Sequence, residues 1–102
     1  MIKHIVMWKV KNPADAAHFK SQLDSCIDLV HGMRRFEVAI RTAELDANCD
    51  VVLYSEFEDA AALAAYQNHP HHQQISLVLG ALRDTRSVLD YEIYYPLQGA
   101  TS

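Results

Sequence analysis

The sequence has few of the residues that several common functional sites require. Three glycines cannot form a glycine-rich phosphate loop, and there is no GxSxG motif, which argues against nucleotide cofactors and serine-hydrolase chemistry. The two cysteines, Cys26 and Cys49, are far apart and outside any CxxC pair, so we expect free thiols in a reducing compartment. Nucleophilic catalysis by cysteine has little support, because neither thiol has a neighbouring base in the sequence.

Long apolar runs and basic tracts are also missing. No apolar run approaches the roughly 20 residues of a membrane-spanning helix, and no secretion signal opens the chain. The net charge is −4, and the longest cluster of lysine and arginine is the pair Arg34 and Arg35. That balance lacks the basic footprint of nucleic-acid binding. We therefore expect a cytoplasmic protein with no membrane or nucleic-acid partner.

What is present suits one compact domain. The chain has 102 residues, half of them apolar, which is enough for a single hydrophobic core. No internal repeat or linker-like segment interrupts it. We predict one domain over residues 1–97 and a loose C-terminal tail over residues 98–102.

Four segments have the alternation of β-strands. Residues 2–10 place His4, Val6 and Trp8 on one face, and both faces of this strand carry apolar residues. Residues 33–42 alternate apolar with polar, which indicates a strand near an edge of the sheet. Residues 51–57 are apolar on both faces and predict a central strand, and residues 86–95 predict a last strand.

Helices are predicted between these strands. Asn12 can cap a helix that begins at Pro13, and Gly32 can end it. The apolar stripe of that helix consists of Ala16, Phe19, Leu23, Cys26, Ile27 and Val30. Asp59 can cap a second helix to about residue 67, and Pro70 interrupts it and can begin a third.

The order of these elements predicts the fold class. A βαββαβ order is typical of the ferredoxin-like α+β fold, a four-stranded antiparallel sheet with the helices on one face. Ile5, Met7 and one side of strand 51–57 would then lie on the uncovered face. Because an apolar sheet face needs a cover and two-fold dimers are the commonest solution, we expect a homodimer.

Several segments resemble the stress-responsive A/B barrel (Dabb) domain family. The resemblance is carried by the opening MIKHIV of residues 1–6, by RFEV at 35–38, by YSEFED at 54–59, by YQNHPHH at 66–72 and by DYE at 90–92. It implies a dimeric α+β barrel made of two ferredoxin-like sheets. Related barrels include cofactor-independent quinol monooxygenases, haem-degrading monooxygenases and muconolactone isomerases, which are analogies of fold alone.

The resemblance also implies candidate site residues. In the plant polyketide cyclases of this family, which close a linear poly-β-ketone by aldol condensation, the matching pocket positions are Tyr66, His72 and His4. His72 would be the general base on a carbon next to a carbonyl, and Tyr66 would donate a hydrogen bond to the developing enolate. Val6 and Trp8 share the strand face of His4, so they are candidate ligand-binding residues together with His4.

His69 is the remaining candidate for ligand binding. Its position directly before Pro70 is equally compatible with a role in capping the next helix. We predict no metal site, because the spacing of His69, His71 and His72 matches no zinc motif, and we predict no cofactor. The arginines of segment 83–86 fit solvated surface or the rim of a dimer.

The sequence supports three classes of function. The first is a dimer that binds a small, mostly apolar molecule bearing a carbonyl or hydroxyl group and catalyses cofactor-independent proton transfer, as in cyclisation or isomerisation. The second is a non-catalytic stress-responsive dimer, structural or ligand-binding, whose histidines serve the fold. The third is cofactor-independent oxygenation of a quinol-like substrate. Whether the protein is an enzyme is left open by the residues alone.

Overall fold

The computed structural model describes residues 1–94 and has the predicted ferredoxin-like α+β fold. Its strands are β1 (Ile2–Val10), β2 (Met33–Ile40), β3 (Val51–Phe57) and β4 (Arg83–Glu92). Its helices are a 3-10 turn (Pro13–Asp15), α1 (Ala16–Asp24), α2 (Ala60–Asn68) and α3 (Pro70–Leu82). The predicted tail over residues 98–102, and Tyr95 of the predicted last strand, lie outside the described residues.

The sheet is antiparallel, with the strand order β2-β3-β1-β4. β1 pairs with both β3 and β4, so Val6 lies opposite Leu53 on one side and Val88 on the other. β2 is therefore an edge strand and β3 a central one, which confirms both predictions. The first and last strands of the chain become neighbours, and this pairing positions the candidate site.

The helices cover one face of the sheet. Val6 and Trp8 of β1 are buried beneath them, with Phe19 and Leu23 of α1 and Leu79 of α3 in the same core. The side chains of the alternate residues in each strand point to the opposite face, which none of the helices in residues 1–94 covers. None of the helices in residues 1–94 is long and apolar enough to span a membrane.

Several element boundaries differ from the prediction. α1 ends at Asp24, where the sequence indicated a helix as far as Gly32, and Ile27, a member of the predicted apolar stripe, is 57% exposed. β2 ends at Ile40 and not at residue 42. The chain leaves the helix through turns in which Asp28 adopts a positive φ, and Gly32 takes φ +90° just before β2. β4 begins at Arg83, directly after α3, and not at residue 86.

The two N-cap residues were predicted correctly, whereas Gly32, the predicted end of the first helix, lies eight residues beyond Asp24. The Asn12 side chain accepts a hydrogen bond from the backbone N–H of Ala14, and the Asp59 side chain accepts one from that of Ala62. These oxygens satisfy donors that a helix N-terminus leaves unpaired. Both cysteines are free, as expected.

Candidate active site

A cavity of about 120 Å³ lies between the sheet and the helices, at the end where α3 passes into β4. Its volume is close to the roughly 150 Å³ of an apolar cavity that holds a benzene molecule. The space therefore matches one six-membered ring and not a long chain. Its lining consists of His4, Val6, Trp8, Leu23, Leu53, Tyr66, His72, Ser76, Leu79, Gly80, Arg83 and Arg86.

Five of the six residues predicted from the sequence line this cavity. His4, Val6 and Trp8 reach it because alternate residues of β1 face the helices, while Tyr66 and His72 come from α2 and α3. The family resemblance predicted Tyr66, His72 and His4, and the alternation of β1 added Val6 and Trp8. The folded chain brings them together from three elements.

His69 is the exception. It lies between α2 and α3, outside the lining of the cavity, and its Nδ1 accepts a hydrogen bond from the backbone N–H of His71 at 3.0 Å. Pro70 follows at the first helical position, where a missing N–H costs nothing. His69 thus caps α3, the second of the two roles that its sequence position allowed. Its role in ligand binding stays a prediction.

Tyr66 and His72 form the polar centre of the cavity. Tyr66 is 0% exposed, and its ring centroid lies 4.5 Å from that of His72. The side chain of Tyr66 is held from other sides by the rings of Phe57, at 5.3 Å, and Phe36, at 6.1 Å. Aromatic contacts on several sides leave the phenol ring little freedom to move.

Both side chains carry a buried polar atom that lacks a partner. Among residues 1–94, neither the hydroxyl of Tyr66 nor Nδ1 of His72 has a hydrogen-bond partner at ordinary distance and angle, although the Cys26 thiol lies near the first side chain and the Gln67 backbone near the second. Unpaired buried polar atoms are rare in folded proteins, because each costs about 1–3 kcal/mol. Two such atoms on neighbouring side chains of one cavity are a feature that a polar ligand would explain.

Burial favours the uncharged forms of both groups. It lowers the pKa of His72 below the ordinary 6.5; a hydrogen bond with the backbone of Gln67 opposes this shift, and electrostatic interactions with His4, Arg86 and His69 add to it. Burial also raises the pKa of Tyr66, with a smaller contribution from Cys26 beside it. At neutral pH the cavity therefore presents an imidazole that can accept a proton and a phenol that can donate a hydrogen bond.

His4 is a second histidine with a defined orientation. It is 2% exposed, and its Nδ1 pairs with the carboxylate of Asp90, which lies opposite it on β4. A carboxylate at Nδ1 favours the tautomer with the proton on that nitrogen and leaves Nε2 as an acceptor. The ring of His4 stands 6.3 Å from that of Tyr66, measured between centroids.

The sequence reasoning missed three polar residues of the site. Asp90 belongs to a segment that carried the family resemblance, but its role depends on the pairing of β1 with β4. Arg83 and Arg86 were interpreted as surface or dimer-rim charges; Arg86 is exposed to solvent, as that interpretation implies, and Arg83 is half-buried, but both also line the cavity. The register of the two terminal strands was the signal that could have found all three.

The described residues offer no ready metal centre. Within residues 1–94 there is no group of three or more histidine, cysteine, aspartate or glutamate side chains placed to hold a metal ion. His71, for example, turns away from His72 and pairs through Nε2 with the hydroxyl of Ser25 at 2.8 Å.

Comparison with known families identifies the chain as a member of the Dabb family. The family model, the stress responsive A/B barrel domain, matches residues 2–93. The expected family is thereby confirmed over nearly the whole length of the chain. A comparison with curated proteins found no match.

Solved structures of similar fold agree with this assignment. A dimeric protein of unknown function with a ferredoxin-like fold from Bacteroides fragilis is 24% identical, with a TM-score of 0.75 and coverage of 90% of this chain and 95% of that one. A Dabb family protein from Mesorhizobium loti is 20% identical, with a TM-score of 0.75 and coverage of 92% and 97%. A cofactor-independent oxygenase from Streptomyces nogalater is 16% identical, with a TM-score of 0.73 and coverage of 95% and 96%. At these identities the likeness is one of fold.

Proposed function

We propose that this protein binds a molecule with one ring and a carbonyl or hydroxyl group, and moves a proton at a carbon next to that carbonyl without a cofactor. The observation that carries the proposal is the pair of unpartnered buried atoms, the Tyr66 hydroxyl and His72 Nδ1, on one ring-sized cavity. Isomerisation and cyclisation by aldol closure both begin with such a proton transfer.

Each side chain has a distinct part in this reaction. The neutral imidazole of His72 takes the proton from the carbon, and the protonated phenol of Tyr66 donates a hydrogen bond to the enolate oxygen that develops. His4, oriented by Asp90, accepts a hydrogen bond from a ligand hydroxyl through Nε2. Val6 and Trp8 supply the apolar wall against which the ring packs.

The proposed proton transfer can be tested with cyclohexanone in D₂O. Proton NMR measures the rate at which its α-protons exchange for deuterium. Cyclohexanone has one ring and one carbonyl and exchanges slowly by itself at neutral pH. His72→Gln should lower the protein-dependent rate by about a thousandfold, since general bases contribute roughly 10²–10⁴. Tyr66→Phe should cost less, because it removes one hydrogen bond and keeps the ring.

The matched control is His71→Gln, which changes a histidine of the same helix turn that faces Ser25 and not the cavity. It should exchange at the wild-type rate. Equal rates for wild type and His72→Gln would remove His72 from the role of base.

We also propose that the working unit is a homodimer joined through the uncovered face of the sheet. On that face Met7 is 42% exposed and Leu89 is 62% exposed. Val52 lies opposite Met7 on β3, and Ile5 lies opposite Leu89 on β1. The similar protein from Bacteroides fragilis is dimeric, and a second copy of the same face would cover this apolar surface.

Cofactor-independent oxygenation is the second candidate reaction. One structural neighbour is an oxygenase of that kind, and a base beside a phenolic hydroxyl could start such a reaction. Hydroquinone is the probe that separates it from isomerisation, with dioxygen consumption as the readout. Uptake of dioxygen that His72→Gln abolishes would favour oxygenation over simple proton transfer.

A further inference from the structure

The cavity carries two arginines that the proposed proton transfer does not use. Arg83 and Arg86 stand on β4 at the end of the cavity nearest α3, and both are part of its lining. The protein as a whole is acidic, with a net charge of −4. Two positive side chains at one small cavity therefore contrast with the negative net charge of the whole chain.

An irregularity in strand pairing places Arg83 on the same face as Arg86. In a regular strand, residues three apart point to opposite faces. Here Lys9 lies opposite Thr85 but Val10 lies opposite Arg83, so the register shifts at this point. Bulges of this kind turn a side chain toward a new direction and are frequent next to functional sites. The shift thus gathers both guanidinium groups at one cavity.

Neither guanidinium is neutralised by the chain itself. In the part of the chain that the structure describes, no carboxylate forms an ion pair with Arg83 or Arg86, although six other ion pairs are present. Asp90, which is on the same face of β4 as Arg86, pairs with His4. The cavity therefore offers fixed positive charge without a counter-ion from residues 1–94.

The walls next to these arginines are apolar. Trp8 lies directly opposite Arg86 in the strand pairing, and Leu79 lines the cavity from α3. Planar guanidinium groups bind carboxylates through paired hydrogen bonds, and a flat indole suits a flat ring. The cavity has room for about one ring, so an anionic group attached to that ring would lie at the edge of the cavity, where Arg86 is exposed.

We infer that the ligand of this cavity is a one-ring carboxylate, whose carboxylate binds Arg83 and Arg86 while its ring lies between them and the Tyr66–His72 pair. This inference rests on the proposed function and specifies its ligand class. Arg83 and Arg86 are anion-binding residues in this arrangement, and the carbon that loses its proton lies at the other end of the molecule.

The test compares benzoate with benzamide, which has the same shape and no charge, by isothermal titration at low salt and neutral pH. Benzoate should bind the wild-type protein at least about tenfold more tightly, since hydrogen bonds between two charged groups are stronger than those to a neutral amide. Arg83→Gln and Arg86→Gln should each lower benzoate affinity by about tenfold and leave benzamide affinity unchanged. Arg34→Gln removes the same charge from an exposed arginine that pairs with Glu58, and should change neither.

The outcomes separate this inference from the proposed function. Equal affinity for benzoate and benzamide, or a preference for benzoate that survives both arginine substitutions, would overturn the carboxylate inference and leave the ring-sized cavity in place. Failure of both probes to bind in the millimolar range would overturn the inference together with the proposed cavity. Circular dichroism of each variant verifies that a loss of binding is not a loss of fold.

Discussion

At the scale of single residues, the site is defined by polar atoms that the fold leaves unpaired. Tyr66 is surrounded by aromatic rings and has a hydroxyl with no hydrogen-bond partner among residues 1–94. A side chain retained only for packing would be served as well by phenylalanine. The unpaired hydroxyl is thus the residue-level observation on which the proposed ligand contact rests.

Tyr66→Phe tests that interpretation through stability. Removing an unpaired buried hydroxyl while keeping the ring should leave the free energy of unfolding unchanged or raise it by up to about 1 kcal/mol. Urea denaturation followed by tryptophan fluorescence measures the change. A loss of more than about 1 kcal/mol would show that the hydroxyl stabilises the fold, as the non-catalytic alternative requires.

His72 gives a prediction about pH. Its pKa in the folded protein is below the ordinary 6.5, because of burial. Above about pH 6.5 the imidazole is neutral in both the folded and the unfolded chain, and below it the unfolded chain binds a proton that folded His72 does not. The free energy of unfolding should therefore fall as pH decreases from about 6.5 toward the folded pKa, by at most about 1.4 kcal/mol per pH unit from this group.

Comparison of wild type with His72→Gln between pH 7 and pH 5 isolates this contribution. The variant should lose less stability over that interval than wild type, and His71→Gln should behave as wild type does. Identical pH dependence in wild type and His72→Gln would contradict the buried, neutral state of His72. The groups nearest to this imidazole, His4, His69 and Arg86, are the same in all three proteins.

At the scale of secondary-structure elements, the junction between α2 and α3 sets the position of His72. His69 caps α3 through Nδ1, and Pro70 begins the helix, so His72 enters the cavity from the first turn. A cap at this point fixes the direction of the helix without touching a ligand.

Substitution of His69 separates capping from binding. His69→Ala should lower the free energy of unfolding by about 1 kcal/mol. His69→Asn should keep most of the wild-type stability, because asparagine is a good cap. Both variants should bind benzoate as wild type does. Loss of benzoate affinity in His69→Asn, at unchanged stability, would instead assign His69 to the ligand.

The same scale shows what a sequence can and cannot predict. Alternation in β1 and the caps at Asn12 and Asp59 are local signals, and they predicted the elements and their order correctly. The early end of α1 at Asp24 was missed, since the apolar spacing continues beyond it. The position of Arg83 at the cavity was missed because its direction depends on a register shift between strands at opposite ends of the chain. Pairing between distant strands is not encoded in local periodicity.

At the scale of the whole molecule, the helices of the described residues, 1–94, cover one face of the sheet and leave the other uncovered. The uncovered face carries Met7, Ile5 and Leu89, while the cavity lies on the helix side. In a dimer joined through the uncovered face, the cavity of each subunit would therefore lie on the helix side of its sheet, away from the interface. Assembly and ligand binding can be tested separately.

Met7→Asp tests the assembly. A carboxylate buried in an apolar interface is costly, so the variant should sediment as a monomer at micromolar concentrations where wild type sediments as a dimer. Leu77→Asp is the control, because Leu77 is an exposed leucine on α3 and not on the sheet, and this variant should remain dimeric. A monomeric wild-type protein in analytical ultracentrifugation would contradict the proposed dimer.

The central claim is that Tyr66 and His72 form the polar end of a ligand-binding cavity. The most direct measurement is NMR of protein with ¹³C-labelled tyrosine and histidine rings, titrated with benzoate. The account predicts that the ring signals of Tyr66, His72 and His4 shift together along one saturable curve, while His71 and Tyr54 do not move. Saturable binding that shifts other rings and leaves Tyr66 and His72 unchanged would contradict it.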